Sequence, residues 1–212
     1  MNLTEQNLKT KSRKYFDKQA VRYDQSWDGK YCRQMYASVF EKIRSSYPFF
    51  SLLDVGCGSG TLLAMIKKEF PDIQAAGIDL SEKMIAQAKM LLGSDILLQA
   101  GDVDQMPWPD NTFDLLVCNA SFHHYPDPQR SLQEMQRVLK PQGRLVMADP
   151  WWSDKVRRII NYYLKSPFNA SGDVYIYSRQ EIENLLAHAE FHSVEWNLID
   201  RTYYILTADA NK

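Results

Sequence analysis

The chain has 212 residues, a formal net charge of -1 and 24% charged residues of both signs. That length suits one α/β domain with a continuous core, and the near-neutral balance supplies no broad basic surface for nucleic acid or anionic lipid. Three cysteines, Cys32, Cys57 and Cys118, share no CxxC spacing, which argues against a disulfide framework or zinc site, and no apolar run reaches the length of a membrane span or signal-peptide core.

In chain order, hydrophobic spacing predicts helices over 8–20 and 31–45, the second with Tyr31, Met35, Val39 and Ile43 on one face. A strand at 51–55 runs into glycines. Helix 60–70 turns Leu62, Leu63, Ile66 and Phe70 inward, and strand 74–78 follows. Ser81 then caps a helix carrying Met84, Ile85, Ala88 and Leu91. Strands at 96–99 and 113–118, a helix at 127–139 and a strand at 144–148 continue the alternation. Such a rhythm implies a doubly wound α/β fold, a mostly parallel sheet with helices on both faces. The tail breaks it. Ser178 and Glu181 form a capping box, and strand-like runs at 193–199 and 202–207 are too close for a crossover, so they pair antiparallel.

Between the first strand and its helix stands Leu52-Leu53-Asp54-Val55-Gly56-Cys57-Gly58-Ser59-Gly60. Glycines there permit a tight turn and let backbone N–H groups approach a ligand. Asp79 ends the next strand, 19 residues after Gly60, where a carboxylate accepts from ribose hydroxyls. A nicotinamide dinucleotide oxidoreductase uses Gly-x-Gly-x-x-Gly at this place; here the third glycine is one residue early and Asp54 precedes the loop. A carboxylate repels a pyrophosphate but suits an ammonium. S-adenosylmethionine carries an ammonium and a sulfonium and no phosphate, so Asp54 favours that methyl donor as cofactor.

The chain resembles the class I S-adenosylmethionine-dependent methyltransferases, specifically the ubiquinone/menaquinone-biosynthesis-like, type 11 group of small-molecule enzymes. The resemblance runs over most of residues 15–150. It rests on the glycine loop, Gly77-Ile78-Asp79-Leu80-Ser81-Glu82-Lys83-Met84, Gly101-Asp102-Val103 with Met106-Pro107-Trp108, Asn111-Thr112-Phe113-Asp114, Phe122-His123-His124-Tyr125-Pro126-Asp127 and Arg137-Val138-Leu139-Lys140-Pro141-Gln142-Gly143. It implies a Rossmann-like seven-stranded sheet with an antiparallel last strand. Gly56, Gly58 and Gly60 would line the methionine part, Asp79 would hold the ribose, and Asp102 with the Val103 backbone would meet the adenine. Leu80 and Met84 would flank the ring, and Asn119 would lie near the methionine end. Residues 15–24, including Tyr23, resemble the segment that folds over the donor. Gln142 replaces the glycine usual in the family's Lys-Pro-Gly-Gly turn. Asn119-Ala120-Ser121-Phe122 stands where an Asn-Pro-Pro-Tyr would mark methylation of a nucleobase amino group.

These readings together give one domain, with a helical lid over 1–48, a cofactor-binding core over 49–150, and a substrate-side insertion with C-terminal hairpin over 151–212. The expected activity is methyl transfer to a small, apolar or aromatic metabolite in the cytoplasm, with no nucleic-acid or membrane partner; nothing in the sequence fixes an oligomeric state. A non-catalytic S-adenosylmethionine-binding protein has the same cofactor motifs. His123, after the fourth strand, is the candidate general base, and its neighbour His124 reads as structural. Trp27, Trp151, Trp152, Tyr175 and Tyr177 are the candidate acceptor contacts. His188 and His192 have no third ligand, and no metal is expected. Asp114 reads as a cap for loop N–H groups.

Overall fold

A computed structural model describes residues 3–211 of the chain. Seven strands, β1 (Ser51–Val55), β2 (Gln74–Asp79), β3 (Leu97–Ala100), β4 (Phe113–Asn119), β5 (Leu139–Pro150), β6 (Phe191–Leu198) and β7 (Tyr203–Ala210), form one sheet in the order β3-β2-β1-β4-β5-β7-β6. The first five are mutually parallel, and β7 runs antiparallel to both β5 and β6. The reversed strand therefore lies inside the sheet, and β6 covers its outer edge.

Period-two alternation divides the core between two faces. Leu53, Val55, Leu116 and Cys118 turn to one side and pack with α6 (Pro128–Val138) and α8 (Arg179–His188). Leu52, Leu115 and Val117 turn to the other, against α3 (Tyr36–Ser45), α4 (Thr61–Glu69) and α5 (Glu82–Leu92). Ser81 caps α5 by accepting from the Met84 N–H, and Ser178 with Glu181 forms the capping box of α8. Asp114 accepts from the backbone N–H groups of Phe50 and Ser51 and from Lys140, tying the amino ends of the strands together.

Three features depart from the sequence expectations. The helix expected over 31–45 is two helices, α2 (Trp27–Arg33) and α3, with a turn between them. Gly29 permits this entry, because a Cβ there would stand 2.2 Å from the Tyr23 carbonyl oxygen. A further helix, α7 (Asp154–Leu164), occupies the region after β5. The first helix, α1 (Leu3–Gln19), begins earlier than expected and continues into a 3-10 turn over Ala20–Gln25. Gln142 takes φ 61°, the left-handed region that explains why a glycine suits that turn. Among the described residues no helix is long and apolar enough to cross a membrane.

Candidate active site

The chain from β1 crosses by α4 to β2 on one side, whereas β4 lies on the other. This reversal opens a crevice beyond the carboxyl ends of β1 and β4, where ligands bind in such sheets. The glycine loop forms its floor. The N–H groups of Gly56 and Cys57 donate to the Ile78 carbonyl at 2.8 and 3.0 Å, anchoring the loop to β2. Gly58, at φ +53°, would direct a Cβ into open space with only Tyr23 within reach, at 3.8 Å. Gly60 does a different job: a Cβ there would meet Ala88 and Leu92 at 2.9 Å. It lets α4 start close against α5 and does not line the crevice.

Asp54, 2% exposed, lines the crevice with Gly56, Gly58, Tyr23, Met84 and Asn119. Its Oδ2 has no hydrogen-bond partner, nor has Oδ1 of Asn119. Burial, reinforced by the charge of Asp79, pushes the Asp54 carboxyl up to about 7. Two buried acceptors without donors suit a primary ammonium, which brings three donors and a positive charge. The residues present therefore fit the amino-acid end of S-adenosylmethionine.

Asp79 spends one lone pair of each oxygen on the backbone, accepting from Gly58 N–H at 2.9 Å and Ser81 N–H at 2.8 Å. Burial raises it to about 6 against the opposing pull of those two bonds. Leu80, Asp102 and Val103 continue the crevice beyond it. Asp102 holds a partner that sequence reasoning missed. Lys9 of α1 donates to both its oxygens at 2.9 and 2.7 Å and also reaches Asp104. No spacing rule joins residues 9 and 102; only the placement of α1 across the crevice does. Ser12, Arg13 and Phe16 of the same helix line the crevice beside Lys9. Ser81 donates to Asp17 at 2.6 Å, and Ser59 and Thr61 donate to Asp24 at 3.1 and 2.8 Å. Residues 9–24 thus lie over the crevice, fastened at Lys9, Asp17 and Asp24.

Beside Asp54's part of the crevice lies a second cavity of about 670 Å³. Phe16, Tyr23, Cys32, Ala120 and His124 border both spaces, so the two share a wall. Ala120 is held at φ 51° there, a strained conformation for a residue with a Cβ. Of the expected acceptor contacts, Trp27 and Trp152 line this cavity. Trp151, Tyr175 and Tyr177 do not. Tyr177 packs on Phe122 at 5.3 Å within the core, Tyr175 donates to Glu181, and Trp151 packs against the same core cluster. These three seal helices to the sheet because the chain turns them away from the carboxyl edge. Tyr31 and Tyr203, absent from the sequence candidates, take their place, their rings 4.7 Å apart, with Trp27 stacked on Tyr31.

His123 and His124 sit in a 3-10 turn, Phe122–His124, at the cavity's inner end. The backbone N–H of His123 donates to Asp149 Oδ2 at 2.9 Å, and its ring Nδ1 lies 2.8 Å from Oδ1 of the same carboxylate. Burial alone would lower the His123 pKa, but the charge and hydrogen bond of Asp149 outweigh it and lift it to about 9. Burial and the neighbouring His123 hold His124 down to about 3. Both histidines face the cavity, together with Asp173 from the loop after α7. His188 and His192 lie elsewhere, on the end of α8 and on β6.

Residues 53–147 match a family model described as a methyltransferase domain. A demethylmenaquinone methyltransferase of Thermotoga maritima is 33% identical over 136 residues, 59% of this chain and 58% of that protein. A 27-O-demethylrifamycin SV methyltransferase of Amycolatopsis mediterranei is 34% identical over 103 residues, 46% of this chain and 38% of that protein. The chain thus spans less than two thirds of the length of either relative. In fold it is similar to the Burkholderia thailandensis 1,6-didemethyltoxoflavin-N1-methyltransferase, solved with 1,6-didemethyltoxoflavin and S-adenosylhomocysteine bound. The TM-score is 0.75 at 20% identity, over 100% of this chain and 92% of that one. The matched domain runs from β1 into β5 and holds the glycine loop, Asp79, Asp102 and Asn119. Residues 53–147 are thus similar to a methyltransferase domain, and the chain has the fold of S-adenosylmethionine-dependent methyltransferases.

Proposed function

We propose that the chain transfers a methyl group from S-adenosylmethionine to a small, apolar or aromatic metabolite held in the 670 Å³ cavity. The observation that carries this reading is that the crevice and the aromatic cavity lie side by side, with Phe16, Tyr23, Cys32, Ala120 and His124 as their common wall. When bound, the donor supplies a methyl group made electrophilic by its sulfonium. The chain's own part is placement. Asp54 and Asn119 accept from the ammonium, Asp79 accepts from the ribose, and Leu80, Val103 and Met84 flank the base. Asp102 offers its remaining acceptor capacity to the adenine beside Lys9. Phe16 and Tyr23 stand in the wall between donor and acceptor. Holding an acceptor in line behind the methyl can contribute on the order of 7–11 kcal/mol in well-oriented systems.

The acceptor class follows from the cavity's walls. Trp27, Tyr31, Trp152 and Tyr203 present aromatic faces, and Ile160 and Ile176 add apolar surface. Flat apolar molecules stack on such faces at about 0.5–1.5 kcal/mol per good contact. The acceptors named for the similar proteins, demethylmenaquinone, 27-O-demethylrifamycin SV and 1,6-didemethyltoxoflavin, are likewise small molecules. The test is transfer of label from methyl-labelled S-adenosylmethionine into a fractionated metabolite extract. Label is expected in a small, solvent-extractable compound. Label confined to protein or nucleic acid would overturn the acceptor class, and absence of donor binding by calorimetry would overturn the activity.

A further inference from the structure

Among the described residues, one group of three histidine, cysteine or acidic side chains converges closely enough to hold a metal ion: His123, His124 and Asp173, whose ligand atoms lie within 4.8 Å of one another. Oδ1 of Asp173 is 3.3 Å from Nδ1 of His124 and 3.8 Å from Nε2 of His123. In a tetrahedral site with nitrogen and oxygen ligands about 2.0–2.2 Å from the ion, ligand atoms stand roughly 3.4 Å apart. Small side-chain adjustments therefore suffice.

Three further observations distinguish this group from a chance cluster of charges. Asp149 grips His123 through both its backbone N–H and its ring Nδ1, which leaves Nε2 as the nitrogen nearer Asp173. A carboxylate behind a histidine is the usual orienting partner in metal sites. Nδ1 of His124 is buried and has no hydrogen-bond partner, although the Asp173 carboxylate lies beside it; a buried nitrogen left so needs an explanation. Finally, the loop that delivers Asp173 is built in place. Val174 and Tyr175 N–H groups donate to the His123 carbonyl, and Asn169 donates to the Asp173 carbonyl at 2.8 Å. Gly172 approaches α1 so closely that a Cβ would lie 2.6 Å from Ser12 Cα.

We propose that Nε2 of His123, Nδ1 of His124 and Oδ1 of Asp173 bind a divalent first-row transition-metal ion of the zinc class, with its open side toward the acceptor cavity. Two imidazoles and one carboxylate suit that class better than magnesium or calcium, which prefer oxygen ligands. All three residues line the cavity, and three protein ligands with one open position is the arrangement of reactive rather than structural sites. The role of the ion, though not its binding, rests on the methyl-transfer reading. An acceptor hydroxyl on the open position gives its proton to solvent in the cavity. Its freed electron pair then forms the bond to the methyl carbon, while the carbon–sulfur pair stays on sulfur as the neutral thioether. Nothing in the sequence links Asp173 to His123-His124, which is why no metal is expected from sequence alone.

The test titrates metal-free protein with cobalt(II), read by visible absorption, and measures S-adenosylmethionine binding by calorimetry on the same preparation. Wild type is expected to take up one cobalt per chain with the intense bands of a four-coordinate site. Asp173→Asn should weaken that uptake by more than about 100-fold, beyond the loss usual for an orienting partner, while its donor affinity stays within twofold of wild type. His124→Ala should also lose cobalt while its thermal unfolding remains cooperative. His188→Ala/His192→Ala, which alters only histidines outside the cavity, should keep it. Wild type without stoichiometric cobalt, or both site variants retaining it, would overturn the proposal. Loss of cobalt in the His188→Ala/His192→Ala variant would overturn it as well, by placing the ion elsewhere. Donor binding is read independently, so failure of the methyl-transfer reading would show there and not in the cobalt bands.

Discussion

Asp79 and Asp102 both end up beside the donor crevice, but their surroundings give them different jobs. Asp79 already accepts two backbone N–H groups that hold its carboxylate rigid, so its free lone pairs are aimed before any ligand arrives. Asp79→Ala is expected to weaken S-adenosylmethionine binding by roughly 1–3 kcal/mol, the range for losing a charged acceptor to buried hydroxyls; calorimetry at constant pH checks it, and unchanged affinity in a folded variant would remove the residue from the site. Asp102 differs because Lys9 already donates to both its oxygens, leaving it only part of its acceptor capacity. Asp79 was legible from sequence, since strand periodicity fixes where β2 ends and the glycine loop fixes what it faces. The Lys9 partnership was not legible, because it depends on where a helix 93 positions away comes to rest.

At the scale of elements, the lid and the wall of the acceptor cavity carry separate expectations. The segment over the crevice is held by a few polar contacts, at Lys9, Asp17 and Asp24. Its opening should therefore cost less than unfolding of the sheet. Amide exchange in residues 9–24 is expected to slow when S-adenosylmethionine binds, and Lys9→Met should speed it in the free protein while raising both the association and dissociation rates of the donor. Equal exchange with and without donor would argue for a fixed roof. The wall divides the aromatic residues after β5 by function. Tyr177 is buried in the core, so Tyr177→Ala should cost about 3–5 kcal/mol in urea unfolding. Trp152 lines the cavity, so Trp152→Ala should raise the acceptor KM roughly two- to tenfold, the equivalent of one stacking contact, and leave donor affinity unchanged. Sequence could not make this division. Aromatic density marks a region, but which face each ring takes is set by α7 and by the close seating of Gly172 on α1, both of them long-range outcomes.

For the molecule as a whole, the sheet order was within reach of sequence because alternation, turn spacing and right-handed crossovers leave few topologies. What sequence does not convey is the electrostatic cost of the site this topology creates. The crossing point at β1 and β4 buries Asp54 beside Asp79, and the fold tolerates an acid there that has no partner of its own. Burial lifts the Asp54 pKa from 3.8 to about 7. In the unfolded chain it ionises near its ordinary value, so between about pH 4 and 7 the folded state binds a proton that the unfolded state has released. Stability from this group is thus present at low pH and lost as pH rises through the folded pKa, by an amount on the order of a few kcal/mol. Other groups also titrate in this range, so the clean measurement is a difference. Asp54→Asn carries no titrating proton at this position, and its unfolding free energy minus that of wild type should grow from pH 4 to about pH 7 and level off by pH 8. Saturating S-adenosylmethionine should reverse the gain: its ammonium pairs with ionised Asp54, so the donor should stabilise wild type more than the variant at pH 8. Urea unfolding at the two pH values, with and without donor, reads all four quantities. A difference that stays flat across that range, or a donor that stabilises both proteins equally at pH 8, would mean that Asp54 is not the buried charge that the ammonium relieves.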